Sequence, residues 1–398
     1  MNDFRLRLRG KIQDRRQRVL DGKINCIPLP FKRFREDWPG IEQERIYLIS
    51  GGTKSAKSMI TNYLFVINTI MYCYHHPEMI RPKILYFPLE ESREAITLKV
   101  MCFFLSYITG GNTLISPTDL LSTNETKPLP QEVLDLLDSP KFNELMDLFD
   151  SIVEFYNEFN RIGIYKVIDN YVKSNGTIYT KRDKRIVKDD FGNVLGEEEY
   201  DAFDYYVPNN PEQYVICIID HLSLLSPIKG EDLRLSISNF AVDCVKFRDR
   251  YKVTFACVQQ QNLESTGLEA FKANKILPTV AGLADCKDMG KAANMMLGIL
   301  NPHYFELPDY KGYDITVLKG MARFLQVTIN RNGISNGICP MLFIPESSSF
   351  QELPLSTDRS AMSKIYDYVK TYKNRPKTNF MMFNKYLHKI FGKDRRNK

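Results

Sequence analysis

The stretch from Arg45 to Pro77 constrains the fold of this chain more than any other part of the sequence. Its apolar run, Ile46 to Ile49, predicts a buried strand, and a loop of small residues, Ser50 to Ala56, follows directly. Lys57 then opens a helix in which apolar side chains recur at spacings of three and four residues, namely Ile60, Tyr63, Leu64, Ile67, Ile70, Met71 and Tyr74. A strand, a tight loop and a helix that begins with Lys-Ser form the arrangement that a phosphate-binding loop needs.

The loop with its Lys-Ser pair consists of Gly51, Gly52, Thr53, Lys54, Ser55, Ala56, Lys57 and Ser58. In such a loop, backbone N–H groups and the lysine bind the phosphates of a nucleotide such as ATP, and the serine hydroxyl ligates Mg²⁺. The usual pattern is G-x-x-x-x-G-K-[ST], whereas this chain has Ala56 at the second glycine. A Cβ is harmless there if φ is negative and costly if φ is positive. A loop of small residues that binds no nucleotide is the alternative interpretation.

Two further apolar runs end in a carboxylate. Ile84 to Leu89 is followed by Glu90, and Tyr214 to Ile219 is followed by Asp220. Ligands of open α/β sheets bind beyond the carboxyl ends of the strands, which makes Glu90 a site candidate. An aspartate at the end of a buried strand, such as Asp220, holds Mg²⁺ through its water shell in nucleotide-binding proteins. The sequence thus predicts a magnesium nucleotide site at this edge.

The remaining apolar runs complete a pattern of strands that alternate with helices. Val253 to Val258 leads into the polar cluster Gln259 to Asn262, and Phe324 to Ile329 leads into a turn that begins at Asn330. Alternation of this kind predicts an α/β fold with a mostly parallel twisted sheet, flanked by helices on both faces.

The net charge of +6 is unevenly distributed, because both ends of the chain are basic and the middle is acidic. Basic ends suggest contact with nucleic acid or an acidic protein surface, and solvated tails are the alternative. No apolar run is long enough to predict a membrane span, and the N-terminus lacks a secretory signal. The eight cysteines contain no C-x-x-C pair, so we expect reduced thiols and a cytoplasmic protein.

The chain divides into three parts. Residues 1–26 predict a basic helix with a sparse apolar stripe, which docks either on its own domain or elsewhere. Residues 27–355 hold the strands and helices of the α/β domain, and within them residues 166–213 combine dense charges with turn signals that predict an inserted, exposed β-hairpin region. Residues 356–398 predict a basic C-terminal helix and tail.

Five of these segments stand in one order, as GGTKSAKS, LYFPLEESREAITLKVM, VICIIDHLSLL, FACVQQQN and LKGMARFLQVTINRNG. In this order they resemble the RecA-like motor domain of DnaB-type replicative helicases, the hexameric ring helicases of bacteria and phages, over residues 27–350. The resemblance implies a P-loop NTPase that hydrolyses ATP with Mg²⁺, assembles as a homo-hexamer with nucleotide at the subunit interfaces, translocates on single-stranded DNA and unwinds duplex during replication. It also implies a primase or helicase loader as partner, and the composition suggests a phage or mobile element whose protein acts in the host cytoplasm.

The resemblance also implies roles for individual residues. Lys57 and Ser58 would bind the phosphates and Mg²⁺, with Asp220 as the strand-end aspartate, and Glu90 would polarise the attacking water. Gln260 would sense the γ-phosphate and communicate with the DNA loops.

Arg331 would be the arginine finger, given in trans to the nucleotide of the neighbouring subunit. The chain departs from the pattern at Ala56 and at Ile329, where many relatives have a lysine, and Lys319 or Arg323 is a candidate to compensate for that missing cation.

DNA contact in this family comes from loops that face the ring channel. Here these loops would be Ser226 to Glu231 and Leu263 to Lys291, with Lys229, Lys272, Lys275, Lys287 and Lys291 as candidate phosphate contacts. Each of these lysines is an ordinary surface residue in the alternative interpretation.

Two other functions use the same fold. One is a RecA- or RadA-like filament ATPase that remodels DNA, and the LEESRE and NRNG segments count against it. The other is a ring scaffold or loader component that binds nucleotide with weak hydrolysis, which Ala56 and Ile329 keep open.

Overall fold

The structure is a computed structural model that describes residues 3–189, 191–262 and 276–372. Its strands are β1 (Ile27–Pro28), β2 (Gly40–Ile41), β3 (Ile46–Gly51), β4 (Arg81–Pro88), β5 (Val153–Phe155), β6 (Gly176–Lys188), β7 (Val194–Pro208), β8 (Gln213–Asp220), β9 (Thr254–Gln260), β10 (Met295–Leu300), β11 (Asp309–Tyr310), β12 (Tyr313–Asp314), β13 (Ala322–Asn330), β14 (Ile338–Ile344) and β15 (Ser349–Glu352). Its α-helices are α1 (Asp3–Leu20), α2 (Lys57–Thr61), α3 (Asn68–His75), α4 (Arg93–Ile108), α5 (Pro117–Leu120), α6 (Gln131–Leu137), α7 (Pro140–Ile152), α8 (Arg161–Ser174), α9 (Leu233–Tyr251), α10 (Asp288–Ala292), α11 (Ile315–Leu318) and α12 (Arg359–Tyr372).

A nine-stranded sheet organises the fold, in the order β15-β14-β13-β10-β3-β9-β8-β4-β5. The six strands from β10 to β5 are mutually parallel, whereas β13, β14 and β15 extend the sheet as an antiparallel edge. The prediction of a mostly parallel α/β sheet is therefore confirmed. Parallel strands of this kind are covered on both faces, and all six residues of β3 are buried.

The helix after β3 runs from α2 through a π-helical segment (Asn62–Ile67) into α3. The apolar stripe predicted for it is buried except at Tyr74, which is partly exposed. Phe65 and Val66, which lie off that stripe, are fully buried as well. A helix that is apolar on most sides belongs in the core, and here it lies between the sheet and the segment that contains Trp38.

Successive residues of β3 face opposite sides of the sheet, as the pleat requires. Tyr47 and Ile49 pack in the cluster with the α2–α3 helix, whereas Ile46 and Leu48 pack in the cluster with α9. Core side chains therefore pack on both faces of β3. This packing fixes the position at which the phosphate loop begins.

The insertion contains the predicted β-hairpin, formed by β6 and β7, but the hairpin is shorter than the segment 166–213. The expected β structure is wrong for residues 166–174, which belong to α8, because Ile164, Ile168 and Val172 form an apolar face that packs against α9. Along the hairpin, exposed basic residues of β6 pair with exposed acidic residues of β7, as in Arg185–Glu198 at 2.8 Å. The tip carries exposed apolar side chains, with Phe191 92% exposed.

Helix α1 lies on the rest of the chain through charged contacts. Arg18 bonds Glu212 at 2.6 Å, Lys11 bonds Glu44 at 2.7 Å and Arg15 bonds Glu42 at 3.0 Å. The apolar side chains of this helix remain exposed, namely Leu6, Leu8, Ile12, Val19 and Leu20. At the other end the structure describes α12, and the tail beyond residue 372 lies outside the described residues.

Two sequence expectations concern the cellular environment. The eight cysteines are free thiols, and seven of them are buried, as expected for reduced core residues. Within the described ranges no helix is long and apolar enough to cross a membrane.

Candidate nucleotide-binding site

The phosphate loop leaves the carboxyl end of β3, between the neighbouring strands β9 and β10. Gly51 is required by a close approach, because a Cβ there would lie 2.6 Å from both the Ile299 carbonyl oxygen and Ser55 Oγ. Two other residues of the loop, Lys54 (φ +59°) and Ala56 (φ +76°), have left-handed backbone conformations. The departure from the usual glycine therefore falls on a position where a Cβ is strained.

Hydrogen bonds from inside and outside the loop hold this conformation. Ser55 Oγ donates to the Gly52 carbonyl oxygen at 2.8 Å, and Asn301 Nδ2 donates to that of Lys54 at 3.2 Å. Arg323 Nε donates to the Ser55 carbonyl oxygen at 2.9 Å. Asn301 was not predicted from the sequence, because nothing in its local pattern indicates that it contacts a loop almost 250 residues earlier.

Lys57 lies at the start of α2, with its ammonium group 3.2 Å from the Gly52 carbonyl oxygen. Burial lowers the pKa of this lysine, and the nearby carboxylates of Glu90 and Asp220 oppose that shift. The lysine is thus directed back over its own loop, where the phosphate groups of a nucleotide would lie.

Ser58 and Asp220, predicted as a magnesium pair, are in direct contact. Ser58 Oγ donates to Asp220 Oδ1 at 3.0 Å, and Asp220 is 2% exposed. Burial raises the pKa of Asp220 to about 7, and the Ser58 hydrogen bond opposes the shift. Among the described residues no cationic side chain forms an ion pair with this carboxyl group, and a divalent cation bound beside it would favour its ionised form.

The donor set fits Mg²⁺, which is bound in phosphate-transfer sites by one or two protein oxygens, substrate phosphates and waters rather than by a protein cage. The described part of the chain holds no cluster of three or more His, Cys, Asp or Glu side chains suited to a metal ion. Tyr86 completes the arrangement, because its hydroxyl donates to Asn62 Oδ1 at 2.8 Å and lies 3.5 Å from Asp220 Oδ2.

Glu90 reaches the site because β4 and β8 are neighbours in register. Pro88 pairs with Asp220, and the Glu90 N–H donates to the Asp220 carbonyl oxygen at 3.1 Å. Glu90 is exposed, whereas the next residue, Glu91, is ion-paired with Lys99. Of these two glutamates, Glu90 is therefore the one whose carboxylate is open to solvent.

The three glutamines after β9 have three different contacts. Gln259 is fully buried and donates to the Cys286 carbonyl oxygen at 2.7 Å, and Gln261 donates to Ser50 Oγ at 2.8 Å. Gln260 lies between them in sequence and donates to Thr53 Oγ1 at 3.1 Å, so that it alone of the three meets the exposed part of the loop. The structure thus brings together Lys57, Ser58, Glu90, Asp220 and Gln260.

Arg331 lies elsewhere, at the opposite edge of the sheet. It follows Asn330, which pairs with Met295 at the start of β10, whereas the phosphate loop lies beyond the end of β10. Its guanidinium group donates to the carbonyl oxygens of Ala293 (2.9 Å) and Lys291. Ile329 packs against apolar side chains of the core. Arg323 was one of the two candidates to replace the lysine that is missing at position 329. Its guanidinium group instead donates to the phosphate loop of the same chain.

Three of the candidate DNA-binding lysines fall within the described residues, and all three lie at the surface. Lys229 and Lys287 are exposed, and Lys291 is ion-paired with Asp288 at 2.7 Å. Lys272 and Lys275 lie outside the described residues.

Comparison with known proteins identifies the fold. No protein-family model matches the chain, and no curated protein sequence matches it. Among solved structures, the ATPase domain of G40P is similar with a TM-score of 0.57 and 12% sequence identity, over 89% of this chain and 100% of that one. A DnaB-like replicative helicase, solved to study its interactions with primase, is similar with a TM-score of 0.57 and 14% identity, over 89% of this chain and 67% of that one. The predicted RecA-like architecture is thereby confirmed, and this chain has the fold of the ATPase domains of DnaB-like replicative helicases.

Proposed function

We propose that this protein is an ATP-dependent ring helicase that translocates on single-stranded DNA and unwinds duplex during replication. The observation that carries the proposal is the convergence of Lys57, Ser58, Glu90 and Asp220 at the carboxyl ends of β3, β4 and β8. Phosphoryl transfer from ATP needs groups that bind the phosphates, hold Mg²⁺ and orient the attacking water, and these four residues would supply them.

The reaction would use few groups of the protein. The loop N–H groups and the Lys57 ammonium would bind and orient the β- and γ-phosphates, and the Glu90 carboxylate would accept a proton from the attacking water. Ser58 and Asp220 would hold Mg²⁺, which neutralises phosphate charge when it is bound. The hydrogen bond between Gln260 and Thr53 would carry the state of the nucleotide toward the loop that follows β9.

Assembly into a ring would complete the site. Arg331 cannot reach the phosphate loop of its own chain, because the length of β10 separates them, and an arginine at that edge would serve the nucleotide of a neighbouring subunit. We therefore propose a homo-hexamer with nucleotide at its interfaces, in the cytoplasm of a bacterium or of a phage host.

Single-stranded DNA would pass along Lys229, Lys287 and Lys291, the described candidates for contact with its phosphates. One of the solved structures with this fold was studied for its interactions with primase, which supports a primase as partner; a helicase loader is the other candidate.

Two assays test the proposal. Single-stranded DNA should stimulate ATP hydrolysis, and Lys57→Ala should abolish it. Unwinding of a forked duplex should require ATP and Lys57, and DNA-stimulated hydrolysis without unwinding would instead favour the RecA- or RadA-like alternative.

A ring scaffold or loader with weak hydrolysis is the second candidate. It is favoured by Ile329, an apolar residue that packs against the core at the position where many relatives have a lysine. Nucleotide binding and ring assembly without DNA-stimulated turnover would support this candidate.

A further inference from the structure

Arg323 is a buried arginine at the start of β13, with 6% of its surface exposed. Its guanidinium group donates to the carbonyl oxygens of Ser55 (2.9 Å), Gly320 (2.7 Å) and Ala322 (2.7 Å), and it lies 5.2 Å from the ring centre of Phe343. In the described ranges no carboxylate forms an ion pair with it. Burial lowers its pKa to about 10. A buried charge without a counter-ion is unfavourable for folding, which indicates that the contacts of Arg323 serve a function.

The contact with Ser55 falls at a strained point of the phosphate loop. The Ser55 carbonyl group belongs to the peptide unit that joins Ser55 to Ala56, and Ala56 has a φ of +76°. An alanine in this left-handed region is less stable than a glycine, because its Cβ approaches the backbone. The same peptide unit leads directly into the N–H groups of Lys57 and Ser58 at the start of α2.

We propose that Arg323 is a positioning residue that fixes the Ser55–Ala56 peptide unit and so keeps the phosphate loop in its nucleotide-binding conformation in spite of Ala56. A glycine at position 56 would hold the left-handed conformation unaided, whereas this chain needs the hydrogen bond that Arg323 donates from β13. The inference rests on the proposed nucleotide site and adds to it a residue on the antiparallel edge of the sheet.

The test is a double-substitution cycle on the full-length protein. A fluorescent ADP analogue with Mg²⁺ is titrated into the wild type, Arg323→Met, Ala56→Gly and the double variant. Arg323→Met should weaken binding about tenfold, the loss expected for one hydrogen bond from a charged group. Ala56→Gly should raise the affinity about fivefold in the Arg323→Met background and by less in the wild-type background, since glycine removes the strain at position 56.

A purely structural arginine would give a different result. It would lower the melting temperature while the two substitutions acted independently on affinity, and independent effects would overturn the proposal. Arg161→Met is the matched control, because Arg161 is a partly buried arginine that is ion-paired with Glu231, and its effect on affinity should not depend on position 56. Arg323→Lys replaces Arg323→Met if that variant fails to fold.

Hydrogen exchange separates this proposal from the proposed function, because it needs no nucleotide. Amides of the loop, residues 52–58, should exchange faster in Arg323→Met than in the wild type, and Ala56→Gly should reverse part of the increase. If the wild type binds no nucleotide, the proposed function fails, and unchanged exchange in Arg323→Met overturns the positioning role separately.

Discussion

Arg323 and Arg331 lie at opposite ends of the same strand, β13, one turned to the phosphate loop of its own chain and the other about 25 Å away at the far edge of the sheet. The neighbouring strand β10 begins beside Arg331, and its last residues lie beside the start of the phosphate loop. One strand thus connects a residue that contacts the phosphate loop of its own chain with the residue that we propose serves the site of a neighbour. In the proposed ring, this strand would link adjacent nucleotide sites.

Glu90→Gln should reduce the catalytic rate by about 10² to 10⁴ while nucleotide affinity stays near the wild-type value, because a general base is lost and no phosphate contact is removed. ATP hydrolysis under single-turnover conditions, with affinity measured separately, checks this expectation.

Glu91→Gln is the matched control, since Glu91 is occupied by Lys99 and its loss should remove only a partly exposed ion pair. Hydrolysis at the wild-type rate in Glu90→Gln, together with a slow Glu91→Gln, would assign the water-polarising role to Glu91.

Arg331 should act on the nucleotide of the neighbouring subunit. Arg331→Ala alone should lower hydrolysis by roughly 10³-fold, the typical contribution of such an arginine. When Arg331→Ala subunits are mixed with Lys57→Ala subunits, activity should return in part, because some interfaces then combine an intact Lys57 with an intact Arg331.

A mixture of Lys57→Ala and Glu90→Gln subunits provides the control for this experiment. Both residues belong to the same half of a site, so no interface in that mixture is complete and no activity should return. If the Arg331 mixture, with assembly verified, behaves like this control, Arg331 is a structural residue that binds the carbonyl oxygens of Lys291 and Ala293.

The partly buried ion pair between Arg161 and Glu231 gives the fold a defined pH dependence. Glu231 accepts hydrogen bonds from Arg161, Ser236 and Asn239, and these contacts, chiefly that with Arg161, lower its pKa to about 2. Because the unfolded chain binds this proton at about pH 4.3, the pair stabilises the fold above that pH and loses its effect as the pH falls toward 2.

Urea unfolding at a series of pH values should show this directly. Glu231→Gln should be less stable than the wild type at pH 7, and the difference should shrink on acidification below about pH 4.3. Glu198→Gln, which removes an exposed ion pair of the hairpin, should change stability little at any pH. A gap between wild type and Glu231→Gln that stays constant with pH would contradict the assignment.

Much of the sheet could be predicted from the sequence because its strands are short apolar runs with polar ends. Once β3, β4, β8 and β9 are parallel neighbours, Lys57, Glu90, Asp220 and Gln260 must meet at one edge. The local sequence pattern is therefore sufficient to predict that these residues lie close together.

Contacts between distant segments were not predictable in the same way. Whether Ala56 is strained depends on the sign of its φ, which the sequence leaves open, and the bond from Arg323 joins segments far apart in the chain. Arg323 was considered as a cation for a neighbouring site, because sequence position alone does not tell which way a strand residue points. The helix at 166–174 was missed because dense charges nearby obscured its apolar face.

The final prediction concerns α1 and ring assembly. Leu8, Ile12 and Val19 lie on one face of this helix, and all three are exposed, with Ile12 61% exposed. The adjacent face carries Lys11, Arg15 and Arg18, whose ion pairs hold the helix to its own chain without covering the apolar stripe. An apolar stripe on a basic helix that stays uncovered in one protomer is suited to a neighbouring subunit, whose body is acidic.

Deletion of residues 1–23 should therefore shift hexamers toward monomers and reduce DNA-stimulated hydrolysis, since Arg331 then loses its partner site. Ile12→Asp should have the same effect on assembly with little change in the melting temperature of the protomer. Gln13→Asp introduces the same charge on a different face of the helix and should leave assembly intact. Sedimentation with ATP and Mg²⁺ distinguishes these outcomes. Hexamers that persist in both the deletion and Ile12→Asp would rule out subunit docking and leave α1 as a DNA contact or a spare tail.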